Sequence, residues 1–456
     1  MAEFWIRLLI LLSVGTGLAV TLRLADRRFQ QAQKLVFRFT IFSYSLTYFL
    51  GICMIFLLEN TAFSLYFSKV VFFTRGSVNF RIFFLSLIPF VCLLAVAWLP
   101  RIRLRRAGTP KARRQWSSFA VTFLTAGMTL FTCAGFVGGD FPMLLGNTLS
   151  FGNISGIGAL YQLRFQATSQ LHTIEAGIMY GTLPALMTGL LLYEGRYVPI
   201  MRVFAAVTGL AVVIMNLGLF QVAPLMTIVL LYVMTRALIS DWSVFNWRNV
   251  AIGSAFLTVY SAYSLIKSSG GGISFFSTLF DIMMRMPVAG PYLVQMKLEN
   301  PGTVNSATYL PQALGYYMFP EIAASNSHIS MPQPSFMVSW FYDGTMMSAV
   351  LMFLALLLPF WFARFLMSSI SARNVGQPTF PQTTLVYSLF HYIYYLFQTS
   401  HFETFVSSYS VIFPLMPAAV YLALSLLLKP RKAFRGRPRS LLQGTLIHET
   451  TAHQVR

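Results

Sequence analysis

Residues 101–114, RIRLRRAGTPKARR, carry seven basic side chains between two apolar runs of the chain. The preceding run covers 80–99 and the following run covers 117–138. Each is about as long as the roughly 20 apolar residues that an α-helix needs to cross a bilayer. Basic segments beside spanning helices remain on the cytoplasmic side of a membrane. The stretch therefore predicts two transmembrane helices joined by a cytoplasmic loop.

The composition extends this prediction to the whole chain. Of 456 residues, 56% are hydrophobic and 10% are charged, and the mean hydropathy is +0.65. A soluble protein carries about 25% charged residues. We therefore expect an all-α polytopic membrane protein with about 11 transmembrane helices, within a range of roughly 10–14. The expected spans are 4–22, 37–58, 80–99, 117–138, 173–193, 200–219, 223–240, 250–267, 336–363, 383–400 and 408–428.

The loops between these spans alternate in charge. Of the 33 Lys and Arg residues, this assignment places 25 on one side and eight on the other. The positive-inside rule makes the side with 25 cytoplasmic. We expect a single multi-pass domain, 1–456, in a bacterial inner membrane, with a periplasmic N-terminus and a basic cytoplasmic tail at 429–456. The net charge of +20 is then explained by orientation and by contact with anionic membrane lipids, and it predicts no nucleic-acid partner.

Two long loops lie on the predicted periplasmic side, at 139–172 and 268–335. The larger one contains apolar residues at helical spacing between Phe275 and Met286, which predicts an amphipathic helix at the membrane surface. Long loops in compact proteins are usually functional or disordered. The cytoplasmic loops are short and lack a phosphate-binding glycine loop, and no metal-ligand spacing appears. We therefore expect no nucleotide, metal or other cofactor.

Three cations on the sparsely charged side are not needed for orientation. Arg164 precedes the fifth span, and Arg285 and Lys297 lie in the larger loop. A guanidinium binds phosphate oxygens bidentately, whereas an ammonium acts as a point charge. Together they could neutralise a pyrophosphate without a metal. The purely structural alternative is that they cap a helix or extend to lipid headgroups.

Four titratable side chains on the same side are candidate site residues. His172 and Glu175 are three residues apart, so they share a face at the outer end of the fifth span. Glu175 would also be stabilised there as a simple helix cap, because the dipole favours a carboxylate. His328 lies in the larger loop, and Asp343 lies inside the ninth span, where an ionisable group is costly and by default functional. The alternative for these two is a solvated position in the loop or at the interface.

The stretch 331–344, MPQPSFMVSWFYDG, runs directly into the ninth span. It resembles a segment of the bacterial oligosaccharide repeat-unit polymerases, the Wzy type that builds O-antigen and exopolysaccharides. The upstream stretch 305–311, NSATYLP, and Arg164 followed by Leu183-Pro184 are similar to other segments of that family. The chain departs from the family at Glu321, where relatives often have Arg.

A second departure stands at Phe220-Gln221, where relatives often have a Ser-Arg-like sequence. The resemblance implies a metal-independent membrane glycosyltransferase of the GT-C type without a cofactor. It would join polyprenyl-pyrophosphate-linked oligosaccharide donor and acceptor and release polyprenyl pyrophosphate, and a chain-length regulator is a candidate partner. The implied pyrophosphate contacts are Arg164, Arg285 and Lys297. The candidate bases are His328, Asp343 and Glu175, and the other candidate substrate contacts are His172, Tyr309 and Tyr342.

Three other functions remain open at this stage. An O-antigen-ligase-like enzyme would carry a His-Asn-x-x-Leu signature, but Gln333 stands about where its histidine would be. A lipid-linked glycan transporter or flippase often shows internal repeats around a midplane site, and the sequence shows none. A membrane O-acyltransferase needs a histidine inside the membrane, for which His391 is the deep candidate.

Overall fold

The protein is helical throughout the part of the chain that its structure describes. In this computed structural model those residues form helices and turns, and they contain no strand. The described residues are 2–29, 31–45, 49–58, 83–84, 86–99, 115–150, 163, 166–167, 172–193, 198–221, 223–240, 247, 251, 254, 350, 353–363, 379–397 and 410–428.

Twelve helices organise these residues in chain order. They are α1 (Ala2–Asp26), α2 (Gln31–Tyr44), α3 (Leu50–Leu58), α4 (Ile88–Trp98), α5 (Gln115–Val137), α6 (Phe141–Ser150), α7 (Thr173–Leu192), α8 (Pro199–Gly218), α9 (Ala223–Ser240), α10 (Phe353–Ala363), α11 (Phe380–Leu396) and α12 (Ile412–Leu427). Helix α7 contains a π-helical turn at Ile178–Thr182.

Within the described ranges, four helices are long and apolar enough to cross a membrane. They are Glu3–Asp26, Phe119–Val137, Thr173–Leu192 and Pro199–Gly218. Shorter apolar helices lie at Ile88–Trp98, Pro224–Ile239, Phe353–Ala363 and Ile412–Leu427. Large apolar side chains such as Trp5 and Leu9 are more than half exposed on α1, as expected for a surface that faces lipid. The fold is that of an all-α protein with several helices able to span a bilayer.

Some predicted boundaries differ from the helices. The predicted span 37–58 covers part of α2 and all of α3, and α2 begins at Gln31 rather than at residue 37. The predicted span 80–99 contains α4, which begins at Ile88 because Pro89 suits the first turn of a helix. The interval predicted as the loop 139–172 begins with α6.

The interior at one end of the helices is built on aromatic rings. Tyr44 lies with its ring centroid 5.2 Å from that of Phe90 and 5.4 Å from that of Phe397. All three are almost fully buried, and the Tyr44 hydroxyl donates a hydrogen bond to the carbonyl of Ser86 at 2.7 Å. This cluster joins α2, α4 and the end of α11.

Contacts between helix ends show which helices point the same way. The Arg28 guanidinium, just after α1, lies 4.4 Å from the ring centroid of Trp98 at the end of α4. Helices α1 and α4 therefore end on the same side. Tyr44 ends α2 and Phe397 follows α11, so their ring contact shows that these two helices also share a direction.

Other contacts join helices of opposite direction. Arg7, near the start of α1, is 4% exposed and donates a 3.0 Å hydrogen bond to the carbonyl of Phe56 near the end of α3. The same guanidinium pairs with Glu3 at 2.8 Å. Thr227 lies about one turn from the start of α9. Its hydroxyl donates a 3.0 Å hydrogen bond to the hydroxyl of Tyr394 near the end of α11.

Helix α6 packs directly on the end of α8. The Asn147 amide donates to the carbonyl of Gly218 at 3.0 Å, and the Thr148 hydroxyl donates to the carbonyl of Ile214 at 3.0 Å. A β-carbon at Gly218 would lie 2.8 Å from the α-carbon of Leu144 and closer still to its carbonyl oxygen. The absence of a side chain at Gly218 therefore permits this backbone contact.

Replacing Gly218 by Ala should separate α6 from α8, because the added methyl meets backbone atoms that cannot rotate away. We expect the free energy of unfolding to fall by about 1–3 kcal/mol. Thermal unfolding of the purified protein in detergent would measure it. Gly127→Ala in α5 is the control, since no atom lies within 4 Å of the β-carbon position there. Equal stability of the two variants would contradict the proposed close contact.

Candidate functional site

Two of the nine predicted site residues lie in the described part of the chain, and they lie together. His172 precedes the first turn of α7, and Glu175 is in that turn. The other seven lie outside the described residues, so their proximity to one another stays a prediction. They are Arg164, Arg285, Lys297, Tyr309, His328, Tyr342 and Asp343.

Glu175 caps the start of α7. Its carboxylate oxygen Oε2 accepts a hydrogen bond from the backbone N–H of His172 at 2.7 Å. The N-terminus of a helix favours a negative charge, because its first N–H groups lack partners within the helix. The structural role weighed from the sequence is therefore present. A substrate contact by the exposed His172 and a catalytic role for the half-buried Glu175 stay predictions.

The second and third turns of α7 are irregular. Ile178–Thr182 form a π turn, in which the N–H of Leu183 donates to the carbonyl of Ile178. Pro184 follows at once, and proline both lacks an N–H and displaces the carbonyl four residues earlier, which belongs to Tyr180. The wider turn accommodates this carbonyl within a continuous helix. Such π turns occur frequently at functional sites.

The π turn is held against the start of α12. The Thr182 hydroxyl donates to the carbonyl of Phe413 at 3.0 Å. A β-carbon at Gly181 would lie 2.7 Å from that of Phe413 and 2.8 Å from the ring of Pro414, so the lack of a side chain permits the contact. Gly177, one turn earlier, lies against the Phe413 ring.

A buried hydrogen bond joins the π turn to the link between α8 and α9. The Tyr180 hydroxyl donates to the Gln221 side-chain oxygen Oε1 at 2.5 Å, and both residues are buried. Phe220, the residue before Gln221, has a φ of 55°. A positive φ is uncommon for a bulky residue and costs free energy unless the surroundings hold it. The N–H of Gln221 bonds to the carbonyl of Asn216 at 2.9 Å, which helps to hold this turn.

We call this region the helix junction. It consists of the first half of α7 (173–182), the turn 219–221, helix α6 and the start of α12. It presents a half-buried carboxylate cap beside a π turn and a residue, Phe220, with positive φ. Within the described ranges, no three His, Cys, Asp or Glu side chains come close enough to hold a metal ion.

Sequence reasoning missed the residues that hold the helix junction together. Tyr180, Thr182 and Gln221 lie in apolar runs, and none was assigned a role. The signals that were available are the proline at position 184 inside a predicted span and the very short link between the spans 200–219 and 223–240. The departure from the family at Phe220-Gln221 falls on the same turn.

Comparisons with known proteins add no relative to this description: no family model, no curated protein and no solved structure matches the chain.

Removing the Tyr180 hydroxyl should destabilise the helix junction. Tyr180→Phe leaves the buried Gln221 oxygen without this donor, and we expect the free energy of unfolding to fall by about 1–2 kcal/mol. Gln221→Leu should lower the free energy of unfolding less in the Tyr180→Phe variant than in the wild type, because the Tyr180–Gln221 bond is already lost in that variant. Unfolding in detergent measures all three variants. Thr132→Val is the control, since that hydroxyl is exposed and bonds its own helix at Met128. If the two single substitutions had strictly additive effects on the free energy of unfolding, the Tyr180–Gln221 bond would contribute nothing to stability.

Proposed function

We propose that this chain is a bacterial inner-membrane glycosyltransferase that polymerises oligosaccharide repeat units carried on polyprenyl pyrophosphate. The observation that carries the proposal is the position of Arg164. This cation is not needed for orientation, and it stands eight residues before His172, where the helix junction begins. Its place in the sequence, followed by Leu183-Pro184, is also one of the points of resemblance to the repeat-unit polymerases.

The full proposed topology has about 11 spans with the N-terminus outside. The directions of the described helices support it. In an alternating path the first and third spans run inward, and α1 and α4 end on the same side. The second and tenth spans run outward, and α2 and α11 share a direction. Helix α9 would be an inward span, and its contact with α11 is antiparallel.

The proposed reaction joins two lipid-linked glycans on the periplasmic face. A hydroxyl oxygen of the acceptor sugar forms a bond to the anomeric carbon of the donor glycan. The bond from that carbon to the pyrophosphate oxygen breaks, and polyprenyl pyrophosphate leaves with the electron pair. The hydroxyl proton passes to a base. The candidate bases are Glu175, His328 and Asp343.

Charge on the leaving pyrophosphate determines the role of the cations. Negative charge develops on its oxygens as the bond breaks, and positioned cations stabilise that charge in the transition state. Arg164, Arg285 and Lys297 come from two loops that would have to converge there. His172, Tyr309 and Tyr342 are the proposed contacts to the remainder of the substrate.

Replacing Arg164 by Ala should shorten the polysaccharide made by the host strain. Loss of one charged contact to the leaving group should slow each transfer by about 10²–10³-fold, so that single repeat units accumulate. Polysaccharide length on gels measures this. Arg202→Ala is the matched control, because Arg202 is exposed in the first turn of α8 and is assigned to the cytoplasmic side. Normal long chains from an Arg164→Ala protein present at wild-type level would refute its role.

Two substitutions at Glu175 distinguish a role as catalytic base from a role as helix cap. Glu175→Gln keeps an oxygen that can accept the His172 N–H bond, so its stability should stay near that of the wild type. Glu175→Ala removes the cap and should lower the free energy of unfolding by about 1 kcal/mol. If Glu175 is the base, the Gln variant should be stable yet make only short glycans. Long glycans from a stable Gln variant would leave Glu175 as a cap and move the base to His328 or Asp343.

A further inference from the structure

A histidine and a tyrosine are buried on one face of α11. His391 is 1% exposed and Tyr387 is 0% exposed, and the two are one helical turn apart. Their ring centroids are 6.3 Å apart, and the His391 ring also lies 4.5 Å from that of Tyr395. An ionisable side chain inside a membrane helix bundle is costly, and by default it indicates a specific role.

Three polar atoms of this pair have no hydrogen-bond partner among the described residues. They are both ring nitrogens of His391 and the hydroxyl oxygen of Tyr387. Three hydroxyls on the same and neighbouring helices donate to carbonyls of their own helices. Ser388 bonds to Thr384 at 2.8 Å, Thr235 bonds to Leu231 at 2.7 Å and Thr40 bonds to Val36 at 2.8 Å.

Leaving all three atoms unpaired would be expensive. Each buried polar atom without a partner costs a substantial part of its solvation free energy. For three such atoms the total approaches the whole free energy of unfolding of an ordinary domain. Tyr387 belongs to the same buried hydrophobic cluster as Leu231 and Met234 of α9. No side chain or carbonyl in the described ranges serves as a partner for these three atoms.

The donors and acceptors of His391 and Tyr387 define what kind of molecule could bind there. A neutral imidazole offers one donor and one acceptor, and a phenol offers a donor and an acceptor. A water molecule donates and accepts at the same time, so it can bridge the phenol and one ring nitrogen. The two ring nitrogens point apart, so the second nitrogen needs a further water. Buried waters typically make about three hydrogen bonds to polar groups that otherwise lack partners.

We propose that His391 and Tyr387 together bind ordered water inside the helix bundle, against α11, with one molecule shared between the phenol and a ring nitrogen. The site is independent of the proposed glycosyl transfer, because it requires no contact with a substrate. It also accounts for a buried histidine without an acyl-transfer reaction.

The sign of the stability change tests the site. His391→Leu replaces the imidazole by an apolar group of similar volume, and Tyr387→Phe removes only the hydroxyl. If water is bound, each change removes its hydrogen bonds and should lower the midpoint of thermal unfolding in detergent by roughly 1–4 °C. His391→Asn keeps a donor and an acceptor and should lower it less. The double variant should lose less than the sum of the two single changes.

Leu389→Met is the matched control, since it conserves volume at an adjacent buried position and should change the midpoint little. If His391→Leu or Tyr387→Phe unfolded at a higher midpoint than the wild type, the proposal would be overturned, because these polar atoms would then bind no water. Additive losses in the double variant would also overturn it.

A direct measurement on the wild-type chain does not depend on how the variants fold. Solid-state NMR in lipid bilayers can follow magnetisation from water to the ring nitrogens of ¹⁵N-labelled histidine. The chain has six histidines, and the spectrum of His391→Asn assigns the signal of His391. We expect rapid transfer from water to this buried ring. If magnetisation from water reached the His391 ring nitrogens no faster than it reaches the surrounding buried protein atoms, the proposal would be overturned.

Discussion

Lipid offers no hydrogen bonds to the backbone, so every N–H and C=O group within a span needs a partner inside the protein. This constraint selects helices, and it also decides how polar side chains are buried here. The hydroxyls of Thr40, Thr125, Thr208 and Thr235 each bond to the carbonyl four residues earlier in their own helix, at 2.6–2.8 Å. Threonine can therefore enter the apolar interior without a partner on another helix.

The same constraint explains why α7 is irregular where it meets other helices. Pro184 cannot donate a hydrogen bond, and the chain responds with a wider turn rather than with a break. That turn brings Tyr180 to Gln221 and Thr182 to the backbone of Phe413. A helix that would otherwise pack only through apolar contacts thus gains two polar connections at the helix junction. These connections hold the capped start of α7, where the proposed chemistry would take place.

Hydropathy predicted several elements closely. The expected spans 117–138, 173–193 and 200–219 end within two residues of α5, α7 and α8. The start of α2 was predicted six residues late, because Lys34 and Arg38 read as loop residues. In the structure Arg38 stays on the helix surface and pairs with Asp26 at 2.8 Å, so its charge does not interrupt the helix.

The candidate site was less accessible to sequence reasoning. The pair His172 and Glu175 was recognised because its spacing is local and the helix start is marked by a charge. The Tyr180–Gln221 bond joins residues 41 positions apart, and neither residue type marks a site inside an apolar run. The glycosyltransferase proposal draws on loop cations and on a short resemblance, both of which are properties of the linear sequence.

Membrane insertion depends on the transfer free energy of contiguous segments, which is a sum over neighbouring residues. The amino-acid order alone therefore determined the helical class and the approximate extent of several apolar helices. Residues far apart in the chain decide which helices touch, where α7 widens and which polar atoms are buried. Only the packed structure decided that His391 and Tyr387 lie buried, with polar atoms that have no partner in the described ranges, because a side chain's hydrogen bonds depend on the helices around it.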